Sequence, residues 1–208
     1  MAASLADHRP PPRTGAGLSA VPAAPERVAA ERPLRLVARP EGLLQIHTAP
    51  YRGSFAAVYS QALRNAGLGS RVLVSQFLKG GVDQGVAGSL QLCGRLRWLR
   101  PAIPLCLEGP PPIAGERHEP ELAAAEQARA AVREVWDFSR EQLLAGSVDL
   151  MVLDELGLAV DLGWLEAAEV SDALERRSAH LDVILTGPAM PAALMAMADQ
   201  VTELRRGL

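Results

Sequence analysis

From residue 43 onward, short apolar runs alternate with longer stretches in which apolar residues recur every three or four positions. Leu43–Thr48 has the composition of a buried strand, and the apolar residues from Phe55 to Ala66 follow the spacing of one helix face. A second apolar run covers Arg71–Phe77. Strands that alternate with helices of this length are typical of βαβ units, whose strands form a mostly parallel sheet. The sequence therefore predicts an α/β fold.

The same pattern continues to the end of the chain, except in a middle segment rich in glycine and proline. In that segment Leu90–Leu99 and Ile103–Leu107 are candidate strands, and Gly67 and Gly69 are expected to end the first helix. The later predicted elements are a helix over about 119–145, a strand at 149–153, a helix over about 164–177, a strand at 181–185, a short helix at 191–198 and a last strand at 200–204.

Residues 1–40 differ in composition from the remainder of the chain. They contain seven of the 16 prolines, no aromatic residue, and six arginines against three acidic residues. A stretch of this kind cannot bury enough apolar surface to offset the entropy lost on ordering. We therefore predict a disordered arm over 1–40 and one folded domain over 41–208. The arm could act as a transit peptide, or as a flexible segment that contacts a protein partner.

Composition excludes several classes of partner. A net charge of −3 with 4% aromatic residues argues against binding to nucleic acid. No run of about eighteen apolar residues is present, which argues against a membrane span. Cys93 and Cys106 fit no metal-binding spacing and suit a reducing compartment. These features predict a soluble, cytoplasmic protein.

The candidate functional residues follow the carboxyl ends of the predicted strands, because ligands bind at that edge of open α/β sheets. They are the loop after the first strand, Lys79, Asp154 with Glu155, and Thr186 with Gly187. A loop between a first strand and a helix suits phosphate, and an acidic pair after an apolar strand suits magnesium. Asp154 and Glu155 could equally be a solvated strand end or a helix cap.

Five segments and Trp136 also resemble a known family, the P-loop type of corrinoid adenosyltransferase. In that family the first strand leads into His-Thr-Gly-Asn-Gly-Lys-Gly-Lys-Thr-Thr-Ala, where this chain has His-Thr-Ala-Pro-Tyr-Arg-Gly-Ser-Phe-Ala-Ala at 47–57. The second strand of the family ends in Gln-Phe-hydrophobic-Lys-Gly, which Gln76–Gly80 matches. The other similar segments are Trp136 with 149–155, then 184–187 with 198–204.

The resemblance covers about residues 43–205, in order and at similar spacing. It implies a three-layer P-loop NTPase-like fold with a mostly parallel sheet and helices on both faces. It also implies a reaction that attaches the adenosyl group of ATP to cobalt(I) of a corrinoid, with magnesium as cofactor. Members of the family are commonly dimers, so the resemblance suggests a homodimer.

The chain departs from the family at the phosphate loop, which comprises Thr48, Ala49, Pro50, Tyr51, Arg52, Gly53, Ser54 and Phe55. Ala49 and Tyr51 replace two glycines, and Pro50 between them has no N–H to donate. Ser54 takes the place of the phosphate-binding lysine and Phe55 that of the magnesium-binding threonine. Because charged hydrogen bonds contribute roughly 1.5–3 kcal/mol each, these losses should weaken ATP binding on the order of a hundredfold or more.

The preferred interpretation is a non-catalytic binding or regulatory protein whose ATP site is degenerate, with no cofactor assigned. An alternative is an active corrinoid adenosyltransferase that uses ATP and magnesium, with Arg52 as a substitute phosphate ligand. That alternative also uses the amides of Gly53 and Ser54, Lys79, and Asp154 or Glu155 for magnesium. Gln76, Thr186 and Gly187 are further candidates at the same crevice. A second alternative is a structural module that acts by protein contacts alone.

Overall fold

The apolar runs form seven strands of one sheet, with five helices between them. The computed structural model describes residues 41–53, 55–81, 84–112 and 119–205, so the predicted arm at 1–40 and Ser54 lie outside the described residues. The strands are β1 Leu44–Thr48, β2 Val72–Gln76, β3 Leu90–Leu92, β4 Leu96–Leu99, β5 Leu150–Asp154, β6 Asp182–Thr186 and β7 Gln200–Glu203. The helices are α1 Ala56–Gly67, α2 Glu119–Ala145, α3 Leu156–Asp161, α4 Ala167–Glu175 and α5 Ala192–Met197.

The sheet has the order β3-β4-β2-β5-β6-β1-β7. All neighbouring strands are parallel except β3, which pairs antiparallel with β4. The carboxyl ends of β1, β2, β5 and β6 therefore meet at one edge. Their register aligns Gln76 with Asp154 and Asp154 with Thr186. This row of polar residues at the ends of apolar strands is the foundation of the candidate site.

Helices cover both faces of the sheet because alternate residues of the central strands point in opposite directions. Val72, Val74, Leu150, Val152 and Ile184 pack with the buried face of α1. The residues between them pack on the other face against α2 and α4; these are Leu73, Met151, Leu153, Val183 and Leu185. The predicted three-layer α/β fold with a mostly parallel sheet is confirmed.

Three predicted elements differ from the structure. The single strand predicted over Leu90–Leu99 is a hairpin of β3 and β4, because Cys93 and Gly94 adopt φ of +53° and +66° and reverse the chain. The predicted strand at Ile103–Leu107 is wrong, and this segment is an irregular loop. The predicted helix at 164–177 is also shorter, covering only α4.

Glycine ends two of the elements as its conformational freedom allows. Gly67 is the last residue of α1, Leu68 caps it, and Gly69 adopts φ of +106°. Gly163, with φ of +76°, lies between α3 and α4.

Across the described ranges, no helix combines the length and the apolar character that a bilayer span requires.

Candidate functional site

Asp154 is the centre of a hydrogen-bond network at the carboxyl edge of the sheet. Its carboxylate is fully buried, and Thr186 Oγ1 donates to Oδ1 at 2.6 Å. Gln76 Nε2 and Lys79 Nζ each donate to Oδ2 at 2.9 Å. The structure thus brings together four of the residues that the sequence selects, and Asp154 receives a donor on each oxygen.

Two aromatic residues that sequence reasoning missed hold Gln76 in this orientation. Trp98 Nε1 donates to Gln76 Oε1 at 2.9 Å, and Gln76 Nε2 lies 3.3 Å from the Tyr59 hydroxyl. The rings of Tyr59 and Trp98 are 5.1 Å apart between centroids. Burial, reinforced by the Asp154 carboxylate, raises the pKa of the Tyr59 hydroxyl, which therefore remains protonated. The amide of Gln76 is consequently directed towards Asp154.

Arg52 and Glu155 form a bidentate ion pair beside this network. Arg52 Nε donates to Glu155 Oε1 at 2.6 Å and Nη2 donates to Oε2 at 2.8 Å. The guanidinium also donates to the carbonyl oxygens of Leu107 at 2.8 Å and Leu78 at 3.3 Å. The hydrogen bonds to Glu155 raise the pKa of Arg52. The charge of Arg52 is thus directed at Glu155 rather than at the space above the loop.

The backbone at Glu155 adopts a conformation that fixes the direction of its side chain. Glu155 has φ of +60°, uncommon for a residue with a Cβ, and its N–H donates to the carbonyl of Thr186 at 2.8 Å. Gly187 lies alongside with φ of +128°, and a Cβ on it would lie 3.1 Å from the Cα of Glu155. Gly187 is therefore required by its own backbone angle and by the proximity of Glu155.

Three of the described phosphate-loop residues, Ala49, Tyr51 and Phe55, pack against the apolar cluster beneath α1. Ala49 and Phe55 are 4% and 3% exposed and belong to the apolar cluster beneath α1, while Pro50 is exposed. Tyr51 packs partly against the same cluster, and its ring atoms lie 2.8 Å from where a Cβ on Gly53 would stand. Thr48 continues β1, and its carbonyl accepts a hydrogen bond from the Leu204 N–H at 2.8 Å.

The described residues of this loop lack the backbone arrangement of a phosphate-binding nest. A phosphate-binding nest needs successive N–H groups turned inward through left-handed residues. Of the loop residues that the structure describes, 48–53 and 55, none has a positive φ, and Pro50 has no N–H. The acidic partner for magnesium, Asp154, already receives three donors. Within the described ranges, no group of three or more His, Cys, Asp or Glu side chains could hold a metal ion.

A cleft of about 420 Å³ lies above the carboxyl edge. It is lined by Arg52, Gly53, Lys79, Gly80, Arg100, Cys106, Glu108 and Glu155. Sequence reasoning missed Arg100, although Arg100 directly follows a predicted strand and the strand-end rule selects it. It does not select Cys106 or Glu108, because the sequence predicts a strand over 103–107 and a loop after it.

Comparison with known proteins identifies a family to which this chain is similar. The family model described as "ATP:corrinoid adenosyltransferase BtuR/CobO/CobP" matches residues 40–207. Among curated proteins, the "Corrinoid adenosyltransferase" of Escherichia coli strain K12 is 30% identical over 164 residues, which cover 79% of this chain and 76% of that protein. "Corrinoid adenosyltransferase CobA" of Salmonella typhimurium is also 30% identical over 164 residues, which cover 79% of this chain and 76% of that protein. The Pseudomonas aeruginosa "Corrinoid adenosyltransferase" is 26% identical over 78% of this chain and 74% of its own length.

Proposed function

The chain belongs to the ATP:corrinoid adenosyltransferase family, and from that premise we propose that it is a non-catalytic binding protein whose ATP site is degenerate. The observation that carries the proposal is the bidentate pair between Arg52 and Glu155. The side chain that best replaces the missing lysine is held by a buried carboxylate and by two carbonyl oxygens. To bind a phosphate, Arg52 would have to leave these partners and strand Glu155, which is 1% exposed.

The state of Lys79 supports the same conclusion. Lys79 Nζ donates to Asp154 Oδ2 at 2.9 Å, so the only lysine of the chain is also paired with a buried carboxylate. Moving Lys79 to a phosphate would leave Asp154 with the neutral donors Thr186 and Gln76. Transition-state stabilisation of a leaving triphosphate is largely electrostatic. With Arg52 and Lys79 both engaged, the loop before α1 and the end of β2 have little positive charge to offer that group.

The alternative, an active adenosyltransferase, is favoured by one observation. Gln76, Lys79, Asp154 and Thr186 form a connected cluster at the edge where the substrates of such a fold bind. In this alternative the cluster has kept its role, and Arg52 turns to the phosphates when ATP binds.

We also propose that the protein is cytoplasmic, where the exposed thiols of Cys93 and Cys106 stay reduced.

The experiment is a calorimetric titration of the full chain with Mg-ATP, next to the Escherichia coli relative as a positive control. We expect no heat of binding up to millimolar nucleotide. A second assay mixes the chain with reduced corrinoid, ATP and magnesium and follows adenosylcorrinoid by absorbance, where we expect no product. Micromolar affinity for Mg-ATP would contradict the proposal, as would product that disappears in Arg52→Ala.

The binding half of the proposal has its own test. A corrinoid is the first candidate ligand, because it is the acceptor substrate named for the family. We expect its absorbance spectrum to change saturably when the full chain is added without nucleotide. If neither corrinoid nor Mg-ATP binds while the protein is folded, corrinoid binding is contradicted as its function.

A further inference from the structure

Arg100 differs from the other two cations of the cleft because it has no partner among the described residues. Arg52 pairs with Glu155 and Lys79 pairs with Asp154. Arg100 lines the same cleft, and its Nε is buried with no hydrogen-bond acceptor in the described structure. Buried polar groups in folded proteins are almost always hydrogen-bonded, and a charged donor is the most costly to leave unsatisfied. The missing acceptor is therefore expected to come from a ligand.

The position of Arg100 in the sheet directs it to the same edge as the rest of the site. Arg100 directly follows β4, and β4 lies beside β2 with Leu99 opposite Ser75. The guanidinium is thus near Lys79 and Gly80 at the end of β2. It reaches the cleft from a strand rather than from the loop before α1. A ligand held by Arg100 need not contact the degenerate phosphate loop.

The other charges of the cleft limit which anion can bind. Arg52 pairs with Glu155 and Lys79 pairs with Asp154, so the remaining charges of the lining are the Arg100 guanidinium and the Glu108 carboxylate. One guanidinium beside a carboxylate favours a single negative charge over a polyanion. The flat fork of the guanidinium matches two oxygens of a phosphate or carboxylate group. A cleft of about 420 Å³ admits a small organic molecule that carries such a group.

We propose that Arg100 binds a monoanionic oxygen group, a phosphodiester or a carboxylate, of a small molecule that occupies this cleft. The inference rests on the proposed function in one respect, that the ligand is not a triphosphate. Nothing in the sequence resemblance points to this residue. Its role follows from its buried Nε without an acceptor in the described structure and from the charges around it.

The test uses the full chain with ¹⁵N-labelled arginine and follows the Nε–H resonance of Arg100 by NMR. Dimethyl phosphate and acetate are added in separate titrations at constant ionic strength, as models of a phosphodiester and a carboxylate. We expect a saturable shift of the Arg100 resonance in at least one titration. The titration in which it saturates at lower concentration identifies the group. No saturable shift with either anion would overturn the proposal.

Two variants complete the design. Arg100→Gln removes the charge, so the affinity should fall about tenfold to a hundredfold, which is the effect of losing a charged hydrogen bond. Arg95→Gln makes the same charge change at the other, exposed end of β4 and should leave the affinity unchanged. A saturable shift of the Gly53 and Gly80 amides that persists in Arg100→Gln would overturn the proposal. The wild-type titration stands even if Arg100→Gln does not fold.

A Mg-ATP titration of the same sample separates the two proposals. Micromolar binding of Mg-ATP would contradict the proposed function, whatever Arg100 does. An Arg100 resonance whose chemical shift does not change with either monoanion would contradict the present inference, whether or not Mg-ATP binds.

Discussion

Arg52 and Glu155, 103 positions apart in the chain, are joined by two hydrogen bonds of 2.6 Å and 2.8 Å. The same guanidinium reaches the carbonyl oxygens of Leu78 and Leu107. One side chain therefore connects the loop before α1, the end of β2, the loop after β4 and the end of β5. A residue of the phosphate loop thus serves as a cross-link between four segments.

Removing this cross-link should destabilise the protein. In Arg52→Ala the carboxylate of Glu155, which is 1% exposed, loses its ion pair. Breaking a buried pair by deleting one partner costs about 3 kcal/mol, and we expect a loss of that order in the free energy of unfolding measured with urea. Arg95→Ala removes an exposed arginine and should change it by less than about 0.5 kcal/mol.

A double-mutant cycle checks that the effect belongs to the pair. Arg52→Ala combined with Glu155→Gln should be more stable than the two single changes predict by at least about 1 kcal/mol, because the buried charge is gone. Additive effects would contradict the pairing.

The packing of Phe55 gives a second prediction. Phe55 is 3% exposed in the cluster beneath α1, although its position corresponds to a magnesium-binding threonine in the family. Phe55→Ala should lower the free energy of unfolding by about 3 kcal/mol, since it leaves a cavity in a packed core. Leu68→Ala removes an apolar side chain that is 81% exposed. It should barely change the free energy of unfolding measured with urea. Equal effects of the two substitutions would show that Phe55 is not part of the core.

Two glycine substitutions should act in opposite directions. A Cβ on Gly80 would lie 2.2 Å from the carbonyl oxygen of Leu105, so Gly80→Ala should displace the loop beside the cleft and destabilise by at least about 1 kcal/mol. A Cβ on Gly67, the last residue of α1, would meet nothing within 4 Å. Gly67→Ala should stabilise by about 0.5 kcal/mol through the lower entropy of the unfolded chain. Thermal unfolding measures both effects as a lower melting temperature for Gly80→Ala and a higher one for Gly67→Ala. A higher melting temperature for Gly80→Ala would contradict the close approach of Gly80 to Leu105.

Asp149 gives a prediction about pH. Hydrogen bonds from the Arg71 side chain and from the Arg71 backbone N–H hold the pKa of Asp149 below its usual range. Because the pKa is lower in the folded state, the pairing stabilises the protein above the ordinary aspartate pKa of about 4. That contribution is lost as the pH falls through the lowered pKa.

The measurement compares melting temperatures of wild type and Asp149→Asn. The variant should melt lower near neutral pH, and the difference should shrink as the pH falls below about 4. A difference that is independent of pH would show that the carboxylate charge does not matter. Asp161→Asn, at the exposed end of α3, serves as the matched control.

Much of the fold could be predicted because it depends on local patterns. The alternation of apolar runs located β1, β2, β5 and β6 to within a residue or two, and the periodicity located α2 at its observed bounds. The hairpin of β3 and β4 could not be predicted, because it depends on positive φ at Cys93, a residue that rarely adopts it. The candidate residues Lys79, Asp154 and Thr186 followed from the rule that strand ends meet at one edge, and Gln76 followed from the family resemblance.

The sequence by itself determined the class of fold, the family and the loss of the glycines and the hydroxyl from the phosphate loop. Each of these depends on patterns of residues that are close together in the chain. Only the tertiary structure decided what the charges do. Whether Arg52 faces a phosphate or Glu155, and whether Arg100 has a partner, depends on which distant side chains come within about 3 Å, the range of a hydrogen bond. Such partners are set by the order and register of the strands, to which residues far apart in the chain contribute together.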